Sequence, residues 1–195
     1  MKRLLLPPLL LLALAAGCGE GKAKRSAATG VGGAQQTANP SPTSSRALPA
    51  LTGRIVDGAD ILSPATEKEV AARLAALEAK TSDQVVVVTV PSLRGEAIEA
   101  FSMRLGNGWG VGREELDNGV LLIVAPGERK TRVAVGSGLE GLLTNARSAE
   151  IVEGLVARFK HGGYDEGVSV GVGEIIRTLE SDTRRPQPRP VPNVA

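Results

Sequence analysis

The feature that most restricts the fold is a seven-residue run from Gln84 to Val90, which reads QVVVVTV. Val and Thr branch at Cβ and favour extended backbone, so the run predicts a strand. Successive side chains of a strand point to opposite faces, and here both faces are apolar. A strand of this kind is buried on both sides, as in parallel sheets covered by helices. We therefore expect it at the centre of a sheet that has helices on both faces.

Helical and extended patterns alternate around this strand. A first helix is predicted to be capped by Ser63, to begin at Pro64 and to end near Lys80. The other predicted elements are a short strand at 54–56, a helix at 96–105, strands at 119–125 and 130–136 joined by a turn at 126–129, and helices around 151–159 and 168–179. This order predicts an α/β fold, a three-layer α/β/α sandwich around a small mixed sheet.

Glycines make two further local predictions. Four of them alternate between Gly106 and Gly112, which predicts an irregular segment after the second helix. Gly167 and Gly171 lie four residues apart in the last helix, so we expect that helix to pack closely on the sheet.

The N-terminal residues predict export. Lys2 and Arg3 precede an apolar run of 13 residues from Leu4 to Ala16, which is typical of a signal peptide and shorter than the roughly 20 residues that a membrane-spanning helix needs. Cys18 follows small residues and is the single cysteine of the chain. The segment Ala15-Ala16-Gly17-Cys18 resembles the lipobox of bacterial lipoproteins, which implies that Cys18 is acylated. An ordinary secreted protein with an incidental cysteine is the alternative.

Composition divides the chain into four parts. We expect a signal peptide at 1–17, a lipidated Cys18 with a disordered tether at 18–50, one domain at 51–181, and a disordered Pro-rich tail at 182–195. A flexible tether of 32 residues has a reach of roughly 30 Å. The expected location is the cell envelope, outside the cytoplasmic membrane, and the outer membrane where the envelope has two membranes.

Charge and motifs argue against several classes of function. Without Lys2 and Arg3 the chain holds 21 basic and 21 acidic residues, and it has four aromatic residues, so neither a basic surface nor a stacking platform for nucleic acid is expected. The segment 136–141 fits G-x-G-x-x-G, but it follows a predicted hairpin arm and lies ahead of the next helix, so we expect no dinucleotide and interpret it as a tight turn. His161 is the single histidine, so it is the one imidazole that could serve Ser137 as the base of a catalytic triad.

Acidic residues at the ends of predicted elements suggest a cation site. Asp57, Asp117 and Glu140, with Asn145 beyond them, supply oxygen atoms of the kind that Ca²⁺ binds in sets of six to eight. If these loops meet at one rim of the sandwich, the four residues would hold Ca²⁺. Asp57 and Asn145, like the nearby Asp60, also suit a helix cap or a turn, and for any one of these three residues that interpretation is the simpler.

Several motifs together resemble the TPM domain family. They are IVD at 55–57, QVVVVTVPSL at 84–93, WGVG at 109–112, DNGVLLI at 117–123 and VAVGSGLEG at 133–141. The resemblance implies an α/β/α sandwich, export or membrane tethering, calcium binding in some members, and the acid phosphatase activity attributed to plant members. It also implies acidic site positions at Asp57, Asp117 and Glu140. Asn145 stands where the family pattern more often has Asp, which implies weaker metal binding.

These observations leave three functions open. The leading hypothesis is a lipid-anchored binding or accessory module for envelope proteins, with Ca²⁺ as a ligand. The second is a metal-dependent acid phosphatase of the TPM type, for which the sequence nominates no catalytic residue. The third is a purely structural envelope protein.

Overall fold

The computed structural model describes residues 47–181. The signal peptide, Cys18, most of the tether and the tail lie outside the described residues, so the predictions made for them stay predictions. The elements are β1 (Ile55–Asp57), α1 (Pro64–Thr81), β2 (Gln84–Thr89), α2 (Ile98–Trp109), β3 (Gly119–Ala125), β4 (Lys130–Val135), a short 3₁₀ turn (Ser137–Leu139), α3 (Asn145–Phe159) and α4 (Tyr164–Glu180). Within 47–181 no helix is long and apolar enough to cross a bilayer.

The four strands form one mixed sheet in the order β1-β2-β3-β4. β1 and β3 both run parallel to β2, and β4 returns antiparallel to β3. The interior position predicted for the QVVVVTV strand is therefore confirmed, and five of the six residues of β2 are buried. β1 and β4 are the edge strands of the sheet.

Two apolar cores cover the two faces of the sheet. One joins α1, α3 and α4 to Val85, Val87, Val120, Leu122 and Val133. The other joins α2 to Val86, Val88, Leu121 and Ile123. Adjacent residues of each strand thus point to opposite cores, as the period of two requires. The predicted three-layer sandwich is confirmed, with three helices on one face and one on the other.

The predicted start of α1 is confirmed. The hydroxyl of Ser63 accepts the N–H of Thr66, and Pro64 occupies the first turn. The helix ends at Thr81, and Ser82 adopts a left-handed conformation with φ of 67° while its N–H donates to the carbonyl oxygen of Glu78. One residue separates the observed end from the predicted one.

The prediction that α2 ends before its glycines is wrong. The helix continues through Gly106 and Gly108 to Trp109, and Gly110 ends it with φ of 61°. The cost of glycine in a helix is about 1 kcal/mol per residue, and packing offsets it. A Cβ on Gly106 would lie 3.8 Å from Leu121 Cδ1, so this glycine faces the sheet at contact distance.

The close packing predicted for α4 is present, but against a different partner. A Cβ on Gly167 would lie 2.5 Å from the Phe159 ring, and one on Gly171 would lie 2.5 Å from Leu155 Cδ2. Both glycines therefore bring α4 against α3 and not against the sheet. Helical periodicity shows which residues share a face, but it does not show which neighbour that face meets.

The packed domain begins slightly earlier than the predicted boundary at residue 51. Leu48 packs against the core beneath α2, and Trp109 Nε1 donates to the carbonyl oxygen of Pro49 at 3.0 Å. The segment that precedes β1 is therefore held against the end of α2.

Candidate functional site

Asp57 ends β1 and organises the loop that follows. Its Oδ2 accepts the N–H of Leu62 at 2.9 Å, and its Oδ1 accepts the hydroxyl of Thr89. The same Thr89 oxygen accepts the N–H of Ala59. One carboxylate oxygen therefore accepts from the turn into α1 and the other from Thr89 at the end of β2, which is a structural role that Asp has in many turns.

Asp117 lies in the loop before β3, and its side chain reaches the turn after β4. Its Oδ2 accepts both the N–H of Ser137 at 3.0 Å and the hydroxyl of Ser137 at 2.6 Å. These two bonds to the charged form, the side-chain bond first, hold the pKa of Asp117 below its ordinary value. Asp117 is exposed and has φ of 45°. It is therefore an accessible carboxylate that stays ionised.

Asp57 and Asp117 lie at opposite ends of the strands. Asp57 pairs with Thr89, at the carboxyl end of β2, whereas Gly119, two residues after Asp117, pairs with Gln84 at the amino end of β2. Five residues of extended chain separate these levels, which is about 16 Å. Ca²⁺ holds its oxygen ligands at about 2.5 Å. The predicted gathering of all four residues at one rim is therefore wrong, and this set does not fit a single calcium site.

Glu140 and Asn145 do lie together. Both line a cavity of about 270 Å³ beside the end of β4, with Thr144 and Arg132. Thr144 caps α3 by accepting the N–H of Arg147, and Asn145 is the first residue of that helix. Among residues 47–181 no group of three or more His, Cys, Asp or Glu side chains could hold a metal ion. Calcium binding by Asp117, or by Glu140 with Asn145, stays a prediction.

The DNG motif has a structural explanation beyond Asp117. Asn118 is buried, accepts the N–H of Arg113, and donates to the carbonyl oxygen of Ser82 and to Asp83. A Cβ on Gly119 would overlap the carbonyl of Val111, and Gly112 has φ of 102°. The motifs WGVG and DNG are thus two backbone segments in direct contact, and this contact requires their glycines.

The glycine-rich segment after β4 is a tight turn, in agreement with the sequence analysis. A Cβ on Gly136 would clash with the carbonyl of Asp117, and one on Gly138 would clash with the carbonyl of Leu116. Gly138 donates its N–H to the carbonyl oxygen of Asp117 at 3.1 Å. Because β4 is the second arm of a hairpin, the segment does not begin a βαβ unit.

Ser137 has a carboxylate partner and no imidazole partner. Its hydroxyl donates to Asp117. His161 follows α3, and the C-terminal end of α3 shares a cavity with Lys130 at the start of β4, whereas Ser137 follows the end of β4. A general base works best when its pKa is near the working pH. The pKa of Asp117 is lowered, which moves it further from neutral pH. This pair is therefore poorly suited to activate the Ser137 hydroxyl as a nucleophile.

The outer edge of β4 is a candidate binding surface that the sequence analysis missed. Gly136 donates its N–H to the carbonyl oxygen of Gly119 at 2.8 Å, so these two residues are a hydrogen-bonded pair of the antiparallel ladder. Hydrogen-bonded and non-hydrogen-bonded pairs alternate along such a ladder. Ala134, Arg132 and Lys130 therefore point their N–H and C=O groups toward β3. Thr131, Val133 and Val135 point theirs away from the sheet, and none of these groups bonds another residue in the described part of the chain.

Grooves flank this edge on both faces of the sheet. On the α2 side a cavity of about 300 Å³ is lined by Asp117, Ser137, Asn107 and Arg132. On the α3 side lies the cavity of Glu140 and Asn145. Arg132 lines both cavities and pairs with Glu99 of α2 at 3.4 Å, while its buried Nε bonds no described residue. The alternation in KTRVAV indicated a half-exposed strand, but only the strand order reveals that β4 is an open edge.

Comparisons with known proteins agree with the resemblance seen in the sequence. The family model described as the TPM domain matches residues 55–178. The solution structure of the N-terminal domain of a protein from P. gingivalis superposes with a TM-score of 0.62 and 35% identity, over 66% of this chain and 83% of that chain. No match was found among curated protein sequences.

Two further solution structures share the fold at lower identity. BA42 from the psychrophilic bacterium Bizionia argentinensis has a TM-score of 0.53 and 19% identity, over 60% of this chain and 81% of that one. The N-terminal domain of protein cg2496 from Corynebacterium glutamicum has a TM-score of 0.54 and 14% identity, over 71% and 87% of the two chains. At this identity the likeness extends to the fold alone.

Proposed function

Since this chain belongs to the TPM domain family, we propose that its domain is a binding module for an extended segment of another envelope protein, held at a membrane through Cys18. The observation that carries the proposal is the open edge of β4. Thr131, Val133 and Val135 offer a row of backbone donors and acceptors there. An extended peptide that adds a strand to such an edge gains main-chain hydrogen bonds, and neighbouring pockets select its side chains.

The side chains of β4 define the chemistry of the partner. Arg132 belongs to the α2 side of the strand, where it pairs with Glu99. Val133 and Val135 belong to the opposite side and pack against the core of α1, α3 and α4. Directly opposed residues of paired strands share a face and interact most strongly. A matching strand therefore alternates acidic residues with β-branched apolar residues.

Arg132 gives the acidic positions a specific partner. Its buried Nε bonds no described residue, and its contact with Glu99 is long for an ion pair. A carboxylate in the groove on the α2 side accepts from this guanidinium, and charge-assisted bonds of this kind are the stronger class.

A second copy of the chain is a poorer occupant of the same edge. Pairing β4 with β4 of another copy places the Arg132 side chains of both strands on one face. Like charges that oppose one another across a strand pair destabilise it. The cationic edge strand therefore disfavours self-association and favours an acidic partner, as edge charges do in many soluble sheets.

The membrane anchor rests on the sequence. Cys18 follows a lipobox-like segment, and the tether between it and the domain reaches roughly 30 Å. A lipid chain contributes about 0.8 kcal/mol for each buried CH₂ group. An anchored module of this kind searches for partners close to the membrane surface.

Two synthetic peptides test the proposal with the full chain. One alternates Glu with Val, and its matched control alternates Lys with Val. We expect the Glu peptide to shift the NMR amide resonances of Thr131, Val133 and Val135, and the Lys peptide to leave them unchanged. Arg132→Glu should weaken binding of the Glu peptide about tenfold. Lys68→Glu, an exposed change on α1, should have no effect.

Two outcomes would count against the proposal. The first is a Glu peptide whose shifts map outside β4 and its grooves. The second is equal binding to the Arg132→Glu and Lys68→Glu variants, since that would indicate a general charge effect without strand pairing.

A further inference from the structure

A cleft lies at the end of the sheet opposite the Asp117 turn, where β3 ends and β4 begins. Its volume is about 440 Å³, within the range of small-molecule sites. We call it the basic cleft, and its floor is formed by Val124 and Ala125, both fully buried. The turn after β3, the end of α3 and the start of α4 form its walls.

Positive charge surrounds the opening of the basic cleft. Arg129, Lys130 and Lys160 line it, and no acidic residue does. Arg129 and Lys160 form no ion pair with a carboxylate within residues 47–181, whereas Lys130 interacts electrostatically with Glu128. Cations that share one cleft without an internal partner create a positive potential there, which favours an anionic ligand.

The acid nearest in sequence is directed elsewhere. Glu128 precedes Arg129, but its Oε1 accepts the hydroxyl of Ser92 at 2.6 Å and the N–H of Leu93 at 3.0 Å. Asp165 follows Tyr164, and its Oδ1 accepts the N–H of Ser63. Each carboxylate is thus hydrogen-bonded to a loop outside the cleft lining. Glu128 offsets part of the charge of Lys130, but neither acid pairs with Arg129 or Lys160.

The interior of the basic cleft is apolar and aromatic. Phe159 and Tyr164 form a tilted ring pair with centroids 4.9 Å apart, and both residues are half-buried. Val156 completes the apolar lining. The Tyr164 hydroxyl makes no hydrogen bond to another described residue, so it remains available to a ligand. Aromatic surface of this kind stacks on rings or packs against short acyl chains.

From this combination we propose that the basic cleft binds a small organic anion: a carboxylate or phosphate group carried on a ring or short apolar chain. The anionic group bonds Arg129 and Lys160 at the opening, and the apolar body packs on Phe159 and Tyr164. Arg129 suits a carboxylate or phosphate because its guanidinium donates two parallel hydrogen bonds. A metal ion is a poor occupant because the cleft supplies no carboxylate ligand.

Calorimetric titration of the full chain with four probes tests this site. The probes are phenyl phosphate, benzoate, inorganic phosphate and benzyl alcohol. We expect phenyl phosphate, benzoate or both to bind, and inorganic phosphate and benzyl alcohol to bind at least about tenfold more weakly, since each lacks one of the two recognised parts. Preference for phenyl phosphate identifies the natural ligand as a phosphate ester, and preference for benzoate identifies it as a carboxylate.

Variants place the binding in the basic cleft. Lys160→Ala and Arg129→Ala should each weaken the better probe about tenfold, and Tyr164→Phe should weaken it less. Lys68→Ala, which removes an exposed cation on α1, is the matched control and should leave binding unchanged. The replaced cations are exposed, so circular dichroism spectra should match those of the unmodified chain.

Three results would overturn the proposal. They are the absence of binding by both aryl anions, equal binding of inorganic phosphate, and equal loss of affinity in Lys68→Ala. The last two would indicate attraction to surface charge without a cleft.

Discussion

Ser137 donates two hydrogen bonds to one oxygen of Asp117, from its backbone N–H at 3.0 Å and from its hydroxyl at 2.6 Å. This contact ties the loop before β3 to the turn after β4. It closes the end of the β3–β4 hairpin next to the edge that we propose as a binding surface. The Asp117 side chain thus holds the turn at Ser137, which lies beside the grooves on the two faces of β4.

Replacing Ser137 with Ala should raise the pKa of Asp117. The hydroxyl is the largest contribution that lowers this pKa, and the backbone bond remains in the variant. A titration of the Asp117 carboxyl carbon by NMR measures the change. Ser92→Ala is the matched control, since it should raise the pKa of Glu128, whose carboxylate accepts from Ser92, and leave that of Asp117 unchanged.

The same bond has a consequence for stability. Because the folded pKa of Asp117 is lowered, its contribution is present at neutral pH and is lost as the pH falls through the folded value. The contribution is small because Asp117 is exposed. The Ser137→Ala variant should show a weaker loss of stability in acid than the unmodified chain, and an unchanged acid profile would contradict this assignment.

Replacing Gly138 with Ala should destabilise the domain. The new Cβ would clash with the carbonyl oxygen of Leu116, and backbone must move to relieve the contact. We expect a loss of about 1–3 kcal/mol in urea unfolding. Gly141→Ala, three residues later, meets nothing within 4 Å and should change stability by less than about 0.5 kcal/mol. Equal effects of the two changes would show that the turn is not tightly packed.

Calcium should act at Asp117 and not at Asp57. Asp117 is exposed and ionised, whereas both oxygens of Asp57 accept bonds from its own loop and Thr89. Millimolar Ca²⁺ should shift the amide resonances of Ser137 and Gly138, and Asp117→Asn should abolish the shifts. Shifts confined to the loop after Asp57, or no shifts anywhere in the domain, would end the calcium hypothesis.

Lipidation at Cys18 predicts a change of location on mutation. Cys18→Ser removes the thiol that a lipid would modify, so the chain should move from the membrane fraction to the soluble fraction on cell fractionation. Replacing Ser26, a polar residue in the tether, with Ala is the control and should leave the chain in the membrane fraction. A Cys18→Ser variant that stays with the membrane to the same extent would contradict lipid anchoring.

Local chemistry made much of the fold predictable from the sequence. The β-branched run at 84–90 identified the buried strand, and Ser63 with Pro64 identified the start of α1. The end of α2 was not predictable, because packing of Gly106 against Leu121 outweighs the helix propensity of glycine. Propensity acts within a few residues, and tertiary contacts decide where it is overruled.

The site was less predictable than the fold. Asp57 follows a strand and Asp117 precedes one, but the sequence does not say whether those two strands run parallel or antiparallel. The parallel pairing of β1, β2 and β3 places the two carboxylates at opposite edges. The open edge of β4 and the basic cleft also depend on the strand order. No local sequence motif predicts strand order, so neither feature was predicted from the sequence.

Amide hydrogen exchange along β4 tests the central claim most directly. In the free chain, the N–H groups of Thr131 and Val133 should exchange about tenfold or more faster than those of Arg132 and Ala134, which face β3. Addition of the peptide that alternates Glu and Val should slow exchange at Thr131, Val133 and Val135 and leave exchange at Arg132 and Ala134 unchanged. Equal protection of both sets in the free chain, or no change on adding the peptide, would contradict an open edge that binds a strand.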